Sequence, residues 1–191
     1  QHITYQELWV RVNELAALLR DFCGLKRGDR VTLHLPMIAE LPITMLACAR
    51  LGVIHSQVFS GFSGQACGER IADSGSRVLI TADSYYRAGT LLDHKKAADI
   101  AFEKAKEEKV VPEKVLVWQR HPGKYSAQTP LVQGRDFVIN DLLPKYRGQR
   151  VEPERMLATD PLFLMYTSGS TGRPKACQHS TGGYLSYVAG T

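Results

Sequence analysis

The sequence has few cysteines and histidines, and neither type is grouped. The four cysteines lie far apart and form no CxxC pair: Cys23, Cys48, Cys67 and Cys177. This spacing favours free thiols in a reducing compartment over a disulfide framework. The six histidines form no HxxxH pattern and do not cluster with cysteine. A metal site built by this chain is therefore not expected.

The sequence also lacks long apolar runs and a large excess of one charge. No apolar stretch approaches the roughly 20 residues of a membrane helix, and no signal peptide is recognisable, so we expect a cytoplasmic protein without a membrane partner. Lys and Arg number 24 against 19 Asp and Glu, and the basic stretch KKAADIAFEKAKEEK is interleaved with acids. This balance argues against nucleic acid as a partner, although it suits a site for anionic nucleotides.

What is present fits one ordinary globular domain. The chain has 191 residues, of which 44% are hydrophobic and 23% charged, enough to bury a sizeable core. It starts at Gln1 without an initiator methionine and stops inside the segment GGYLSYVAGT, so we expect an excised fragment. A truncated sheet would expose an edge strand, which predicts self-association.

Hydrophobic periodicity divides the chain into alternating helices and strands. Thr4 and Glu7 fit a capping box, and apolar residues then recur at steps of three and four toward Gly24, which predicts a first helix. Further helices are predicted over 41–51, 64–74 and 94–109, and strands over 30–35, 53–59, 77–81 and 115–118. This alternation predicts the α/β class, a three-layer α/β/α fold with a mostly parallel sheet. Residues 119–160 are expected to be an irregular connecting region with one strand near Phe137.

Three loops of unusual composition follow predicted strands. They are SGFSGQ after Phe59, ADSYYRAGT after Thr81, and the stretch TSGSTGRPK after Tyr166. Ligands of open α/β sheets bind beyond the carboxyl ends of the strands. We therefore expect the three loops to contribute to one ligand site.

The stretch YTSGSTGRPK has the composition of a phosphate-binding loop. Its two glycines allow close approach of the backbone to a ligand, and successive N–H groups in such a loop form an anion site. Four hydroxyls and two basic residues add further donors. A solvated Ser/Gly turn is the alternative. The nucleotide-kinase signature GxxxxGK[ST] and the Rossmann GxGxxG turn are both absent.

This stretch resembles the phosphate-binding signature of adenylate-forming enzymes. The segments HSTGGYL, MLACARLGVIHSQVF, FSGFS, RIADS, RVLITAD and GRD are similar to the acetate–CoA ligase branch of that superfamily. The resemblance covers essentially the whole chain and is weakest between about residues 97 and 133. It implies that residues 1–191 are an incomplete N-terminal (AMP-binding) domain, with the downstream remainder and a C-terminal domain absent.

The resemblance implies a two-step reaction with ATP, Mg²⁺ bound to ATP, and coenzyme A as co-substrate. A short carboxylic acid such as acetate would be activated to an acyl adenylate, and the acyl group would then pass to coenzyme A. Partners would be these small molecules alone. Two alternatives stay open: a ligase for another small or branched acid, and a nucleotide-binding module without catalysis of its own.

The resemblance also assigns site residues. The residues that it implies for binding the ATP phosphates are Thr167, Ser168, Gly169, Ser170, Thr171, Gly172 and Lys175. The residues that it implies for binding coenzyme A are Gly61, Arg87, Ala88, Gly89 and Thr90. No catalytic residue and no metal ligand is expected within these 191 residues.

The sequence departs from the family pattern at a few positions. Thr90 stands where related proteins commonly have a second Arg or Lys. Lys95 and Lys96 could replace that charge, or they could simply be the solvated start of a helix. Cys177 is expected to be a small buried apolar residue, and His179 to have a structural role.

Overall fold

The computed structural model describes residues 2–121, 129–167 and 174–190. The helices are α1 (Tyr5–Asp21), α2 (Glu40–Arg50), α3 (Gly64–Ser74), α4 (His94–Glu107), α5 (Ile139–Leu142) and α6 (Thr181–Ala189), with a 3₁₀ turn at Leu143–Tyr146. The strands are β1 (Arg30–Leu35), β2 (Ile54–Phe59), β3 (Val78–Ala82), β4 (Ser84–Arg87), β5 (Thr90–Asp93), β6 (Lys114–Trp118), β7 (Asp136–Val138), β8 (Pro161–Thr167) and β9 (Lys175–Ser180).

Seven of the strands form one sheet in the order β7-β6-β3-β1-β2-β8-β9. All neighbouring pairs are parallel except β8 and β9, which are antiparallel. The predicted mostly parallel sheet is confirmed. Its central strands are buried on both faces, so they read as apolar runs rather than as alternating patterns.

Helices cover both faces of the sheet and give the predicted three layers. On one face, α1 and α2 pack over Val31, Leu33 and other residues of the first core cluster. On the other face, α3 and α4 pack over Leu79, Val115 and the rest of the second cluster. Burial of these side chains, at roughly 25 cal/mol per Å² of apolar surface, is the main stabilising contribution.

Local sequence signals set the bounds of α1. The Thr4 hydroxyl accepts a hydrogen bond from the Glu7 N–H at 3.2 Å, and the Thr4 N–H donates to Glu7 Oε2 at 2.7 Å. This is the predicted capping box, in which side chains satisfy two of the four orphan N–H groups of the first turn. The helix ends at Asp21, three residues before Gly24.

Two glycines bring α3 and α4 close together. A Cβ added at Gly68 would stand 2.7 Å from Ala101 O and 2.5 Å from Lys104 Cβ. A Cβ at Gly64, one turn earlier, would stand 2.5 Å from Ala97 O. Only residues without a side chain fit this contact, so the two glycines set the spacing of this helix layer.

The structure contains regular elements that the sequence did not indicate. The stretch ADSYYRAGT, expected to be a loop, is instead largely part of the hairpin β4–β5, which spans residues 84–93. Residues 175–180 form the edge strand β9, and the segment around Asn140 is helical. The expectation that Cys177 is buried is wrong. Cys177 is exposed because it lies on the outermost strand of the sheet, where no further element covers it in the described chain.

The four cysteines are free, as the spacing predicted. No helix among residues 2–121, 129–167 and 174–190 has the length and apolar character needed to cross a membrane.

Candidate functional site

Three connections start at the same edge of the sheet, because β2, β3 and β8 run in the same direction. The turn at residues 60–63 follows β2, the hairpin β4–β5 follows β3, and Thr167, the first residue of the stretch TSGSTGRPK, ends β8. The turn, the hairpin and Thr167 thus lie on one side, where open α/β sheets bind ligands.

The phosphate-loop signature is described only at its ends. Ser168, Gly169, Ser170, Thr171 and Gly172 lie outside the described residues. Thr167 is the last residue of β8 and pairs across the ladder with Lys175, the first residue of β9. Both side chains are exposed. The loop therefore leaves and returns to the sheet at two neighbouring positions, one of which carries the lysine.

The hairpin presents the segment Arg87–Thr90 at its tip. Ala88 and Gly89 have positive φ angles of 48° and 79°, as the two central residues of a type I′ turn require. Arg87 and Thr90 face each other across this turn, and all four residues are exposed. Thr90, where a cation was expected in related proteins, therefore lies directly beside Arg87.

Gly61 and Arg87, which the family resemblance assigned to the same ligand, are in contact. A Cβ added at Gly61 would lie 3.0 Å from Arg87 Nη1 and would overlap the ring of Phe59. The turn is closed by a hydrogen bond from the Phe62 N–H to Phe59 O at 2.9 Å. Glycine is needed here because the arginine and the ring approach the backbone closely.

The hairpin is anchored to the rest of the edge by Tyr85 and Asp83. The Tyr85 hydroxyl donates to Ser60 O at 3.2 Å, which joins the hairpin to the turn after β2. The Asp83 carboxylate accepts N–H groups from Ser84, Arg120 and His121 at 2.7–2.9 Å. Carboxylates that accept several N–H groups fix a local chain path. No pattern in the sequence indicated this role of Asp83.

Two buried histidines lie beneath the hairpin. The rings of His34 and His94 are in contact, tilted by 41° with centroids 4.2 Å apart, and Tyr85 meets the His94 ring edge to face at 5.1 Å. Burial lowers the pKa of His34 to about 3 and that of His94 to about 4. Both rings are therefore neutral near pH 7 and support the hairpin by packing, without adding charge to the site.

Lys95 is neither a free cation nor a solvated residue. It is only 2% exposed, and its Nζ lies 2.6 Å from Asp99 and 2.8 Å from Asp136. Arg135 binds the same two carboxylates. Burial acts to raise the pKa of Asp136, but hydrogen bonds from Arg135 and Lys95 outweigh it and hold that pKa below its usual range. The GRD segment thus closes a buried ion network and does not point to a ligand. Lys96 remains exposed.

His179 and Cys177 lie on β9 beside the phosphate-loop signature. The His179 ring stacks on Phe163 with centroids 4.5 Å apart, in agreement with a structural role. Phe163 stacks in turn on the buried His55 at 5.5 Å. Among the described residues, no group of three or more His, Cys, Asp or Glu side chains could hold a metal ion.

A sequence profile described as "AMP-binding enzyme" matches residues 1–191. The chain belongs to the AMP-binding enzyme family. The chain is also similar to coenzyme A synthetases from archaea and bacteria.

Three such relatives illustrate the similarity. The chain is 49% identical to the 3-hydroxypropionyl-coenzyme A synthetase of Sulfurisphaera tokodaii over 96% of its own length and 26% of that protein. It is 46% identical to the acetyl-coenzyme A synthetase of Rhizobium rhizogenes over 99% of its own length and 28% of that protein. It is 44% identical to the acetyl-coenzyme A synthetase of Pyrobaculum aerophilum, over 99% of its own length and 27% of that protein. The chain thus spans about a quarter of the length of these family members.

A solved structure supports the same assignment. The acetoacetyl-CoA synthetase of Streptomyces lividans superposes with a TM-score of 0.78 at 28% identity, covering 97% of this chain and 26% of that one. The fold described above is therefore that of one part of an AMP-binding enzyme.

Proposed function

We propose that the chain is the front part of an AMP-forming acyl-CoA ligase for a short carboxylic acid such as acetate. The carboxylate attacks the α-phosphorus of ATP, pyrophosphate leaves, and an acyl adenylate forms. The thiol of coenzyme A then attacks the acyl carbonyl, and AMP leaves. In this proposal residues 1–191 form an incomplete AMP-binding domain, and the remainder of the domain and a C-terminal domain follow downstream. The coverage of about a quarter of each relative supports this organisation.

One observation carries the proposal. Lys175 and the end of the phosphate-loop signature lie at the same sheet edge as the Arg87–Gly61 contact. Both positions lie at the edge where an open α/β sheet binds its ligands, which supports the assignment of phosphate donors to each. The acid, ATP and coenzyme A of an acyl-CoA ligase need two such groups of donors, one for each phosphorylated substrate.

In the first step, Thr167 to Gly172 and Lys175 bind the β- and γ-phosphates of ATP. Charge builds on the departing pyrophosphate, and prearranged N–H, hydroxyl and ammonium donors stabilise that charge in the transition state. Mg²⁺ enters with ATP as part of the substrate. The described residues offer no metal cluster of their own.

In the second step, the hairpin tip and Gly61 bind the nucleotide end of coenzyme A. Arg87 donates to its 3′-phosphate, since a guanidinium forms strong charged hydrogen bonds to phosphate. Ala88, Gly89 and Thr90 line the approach. Lys95 cannot supply the missing second cation because two carboxylates already hold it.

The identity of the acid is a separate question. The sequence identity to the 3-hydroxypropionyl-coenzyme A synthetase is 49%, slightly higher than the 44–46% identity to the acetyl-coenzyme A synthetases. A ligase for a three-carbon hydroxy acid is therefore the second candidate. A cytoplasmic location, and partners limited to small molecules, stay predictions.

The test is acid-dependent exchange of labelled pyrophosphate into ATP by the longer protein. Acetate and 3-hydroxypropionate should be compared with a no-acid control. Exchange with either acid supports the ligase, and the ratio of kcat/KM values identifies the acid. ATP binding without exchange for any short acid would favour a nucleotide-binding module instead.

A further inference from the structure

Arg70 lies between the two groups of candidate site residues. It is on α3, only 8% of its surface is exposed, and its Nη1 donates to Ala66 O at 2.6 Å. Its guanidinium carbon lies 4.7 Å from the ring centroid of Phe62 and 5.4 Å from that of Tyr166. A cation between two aromatic faces is attracted to both, and more strongly when it is removed from water.

Each of these rings is next in the chain to an assigned site residue. Tyr166 directly precedes Thr167, the first residue assigned to the ATP phosphates. Phe62 directly follows Gly61, which touches Arg87. A single buried side chain therefore contacts the neighbours of both sites.

A second contact fixes the Tyr166 side. Its hydroxyl donates to Asp73 Oδ2 at 2.6 Å and lies 3.4 Å from Arg70 O. Burial, together with the hydrogen bond to Asp73, raises the pKa of Tyr166 above its usual range. The phenol stays protonated as a donor, so β8 is tied to α3 just before the signature begins.

We propose that Arg70 is a positioning residue that joins the end of β8, at Tyr166 and Thr167, to the turn that carries Gly61 and Phe62. This inference rests on the proposed function, in which Thr167 binds ATP and Gly61 binds coenzyme A. Arg70 contacts neither substrate. It holds the Tyr166 ring on one side and the Phe62 ring on the other, so these two segments keep a fixed separation. Acyl transfer requires such a fixed geometry, because a displacement of about 1 Å can cost roughly a hundredfold in rate.

The inference predicts a pattern across both half-reactions. Arg70→Met, which keeps the length but removes the charge, should raise KM for ATP in pyrophosphate exchange and KM for coenzyme A in thioester formation, each about five- to thirtyfold. Arg70→Lys should bring both KM values part of the way back to those of the wild type. Tyr166→Phe should raise only the KM for ATP, and Phe62→Leu should raise only the KM for coenzyme A.

The control is Arg150→Met. Arg150 also lies over an aromatic ring, with its guanidinium carbon 5.0 Å from the ring centroid of Trp9. Trp9 belongs to α1, which packs on the face of the sheet opposite to α3. Arg150→Met should leave both constants unchanged. A merely structural Arg70 would lower the amount of active enzyme, and hence kcat, with both KM values unchanged. That outcome, or a rise in only one KM, overturns the inference.

Hydrogen exchange provides a readout that does not depend on activity. In Arg70→Met, amides of the 60–62 turn and of 165–167 should both exchange faster, while those of α1 should not. If the wild-type protein shows no acid-dependent exchange of pyrophosphate, the proposed function fails, and the hydrogen-exchange result alone decides whether Arg70 joins the two segments. Protection that is unchanged in both segments would show that it does not.

Discussion

Arg87 Nη1 lies 3.0 Å from the position that a Cβ would take on Gly61. The two residues belong to different connections, one after β2 and one in the hairpin after β3. Their contact joins two separate connections, with the Arg87 guanidinium at the junction.

Arg87→Ala should raise KM for coenzyme A about ten- to hundredfold in the longer protein, because a charged hydrogen bond contributes roughly 1.5–3 kcal/mol. The KM for dephospho-coenzyme A, which lacks the 3′-phosphate, should rise much less. Steady-state kinetics with both thiols measure this difference, and Arg150→Ala serves as the control arginine. Equal weakening of both thiols would mean that Arg87 only positions the hairpin, and no weakening would refute its assignment.

Lys175→Ala should reduce acid-dependent pyrophosphate exchange more than it reduces thioester formation from a preformed acyl adenylate. The ammonium group is proposed to stabilise charge on pyrophosphate, which is absent in the second step. The two half-reactions are assayed separately. Lys106→Ala, a change on the outer surface of α4, is the control. Equal loss in both half-reactions would contradict this role.

His55→Phe should make stability less dependent on pH. Burial lowers the pKa of His55 from 6.5 to about 4 in the folded chain, so below pH 6.5 the unfolded chain takes up a proton that the folded chain does not. Stability is therefore fully present above pH 6.5 and falls as the pH drops toward 4, by about 2 kcal/mol at pH 5 from this residue.

Phenylalanine keeps the stack on Phe163 but cannot be protonated. Urea unfolding at pH 7.5 and pH 5 should show similar stability of the two proteins at the higher pH and an advantage for the variant at the lower one. If both proteins lose the same free energy of unfolding between pH 7.5 and pH 5, protonation of His55 does not contribute to the pH dependence of stability.

Gly68→Ala should destabilise the chain by about 1–3 kcal/mol, because the new methyl group would overlap α4 at Ala101 O and Lys104 Cβ. Gly190→Ala is the matched control, since its nearest neighbour would be 3.5 Å away. Thermal and urea unfolding measure both. If Gly68→Ala is as stable as the wild type, α3 and α4 can move apart without a loss of stability.

The 191-residue chain alone should catalyse no acid-dependent pyrophosphate exchange. Adenylation needs the acid held in line with the α-phosphorus, and the resemblance implies that the acid pocket and the ribose-binding site lie downstream. A few phosphate contacts support ATP binding at roughly the high-micromolar to millimolar level. Exchange above a no-acid control, abolished in Lys175→Ala, would overturn this expectation.

The sequence predicted the central sheet well because its signals are local. The capping box at Thr4, the apolar runs of β1 and β3, and the glycines that end helices each act within a few residues. The predicted bounds of α3 agree with the structure at both ends. The two helix layers follow from right-handed crossovers between parallel strands, whereas the strand order β7-β6-β3-β1-β2-β8-β9 is known only from the structure.

Other features could not be predicted because they depend on distant residues. The hairpin β4–β5 turns at Ala88, and alanine at a positive φ is an unusual choice for a type I′ turn, so the usual turn signal is missing. The burial of Lys95 depends on its ion pair with Asp136, which lies on β7, about forty residues further along the chain. The contact of Arg70 with Phe62 and Tyr166 likewise joins three separate segments. The assigned phosphate ligands between residues 168 and 172 stay predictions.

The pairing of Thr167 with Lys175 fixes which side chains of β9 share a face. Side chains alternate between the faces of a strand with a period of two, so a one-residue slip in an antiparallel ladder moves every side chain to the other face. After such a slip, Lys175 and His179 would exchange faces with Ala176 and Gln178, and the His179 stack on Phe163 would be lost. The stack of His179 on Phe163 therefore also holds Lys175 on its face of the sheet.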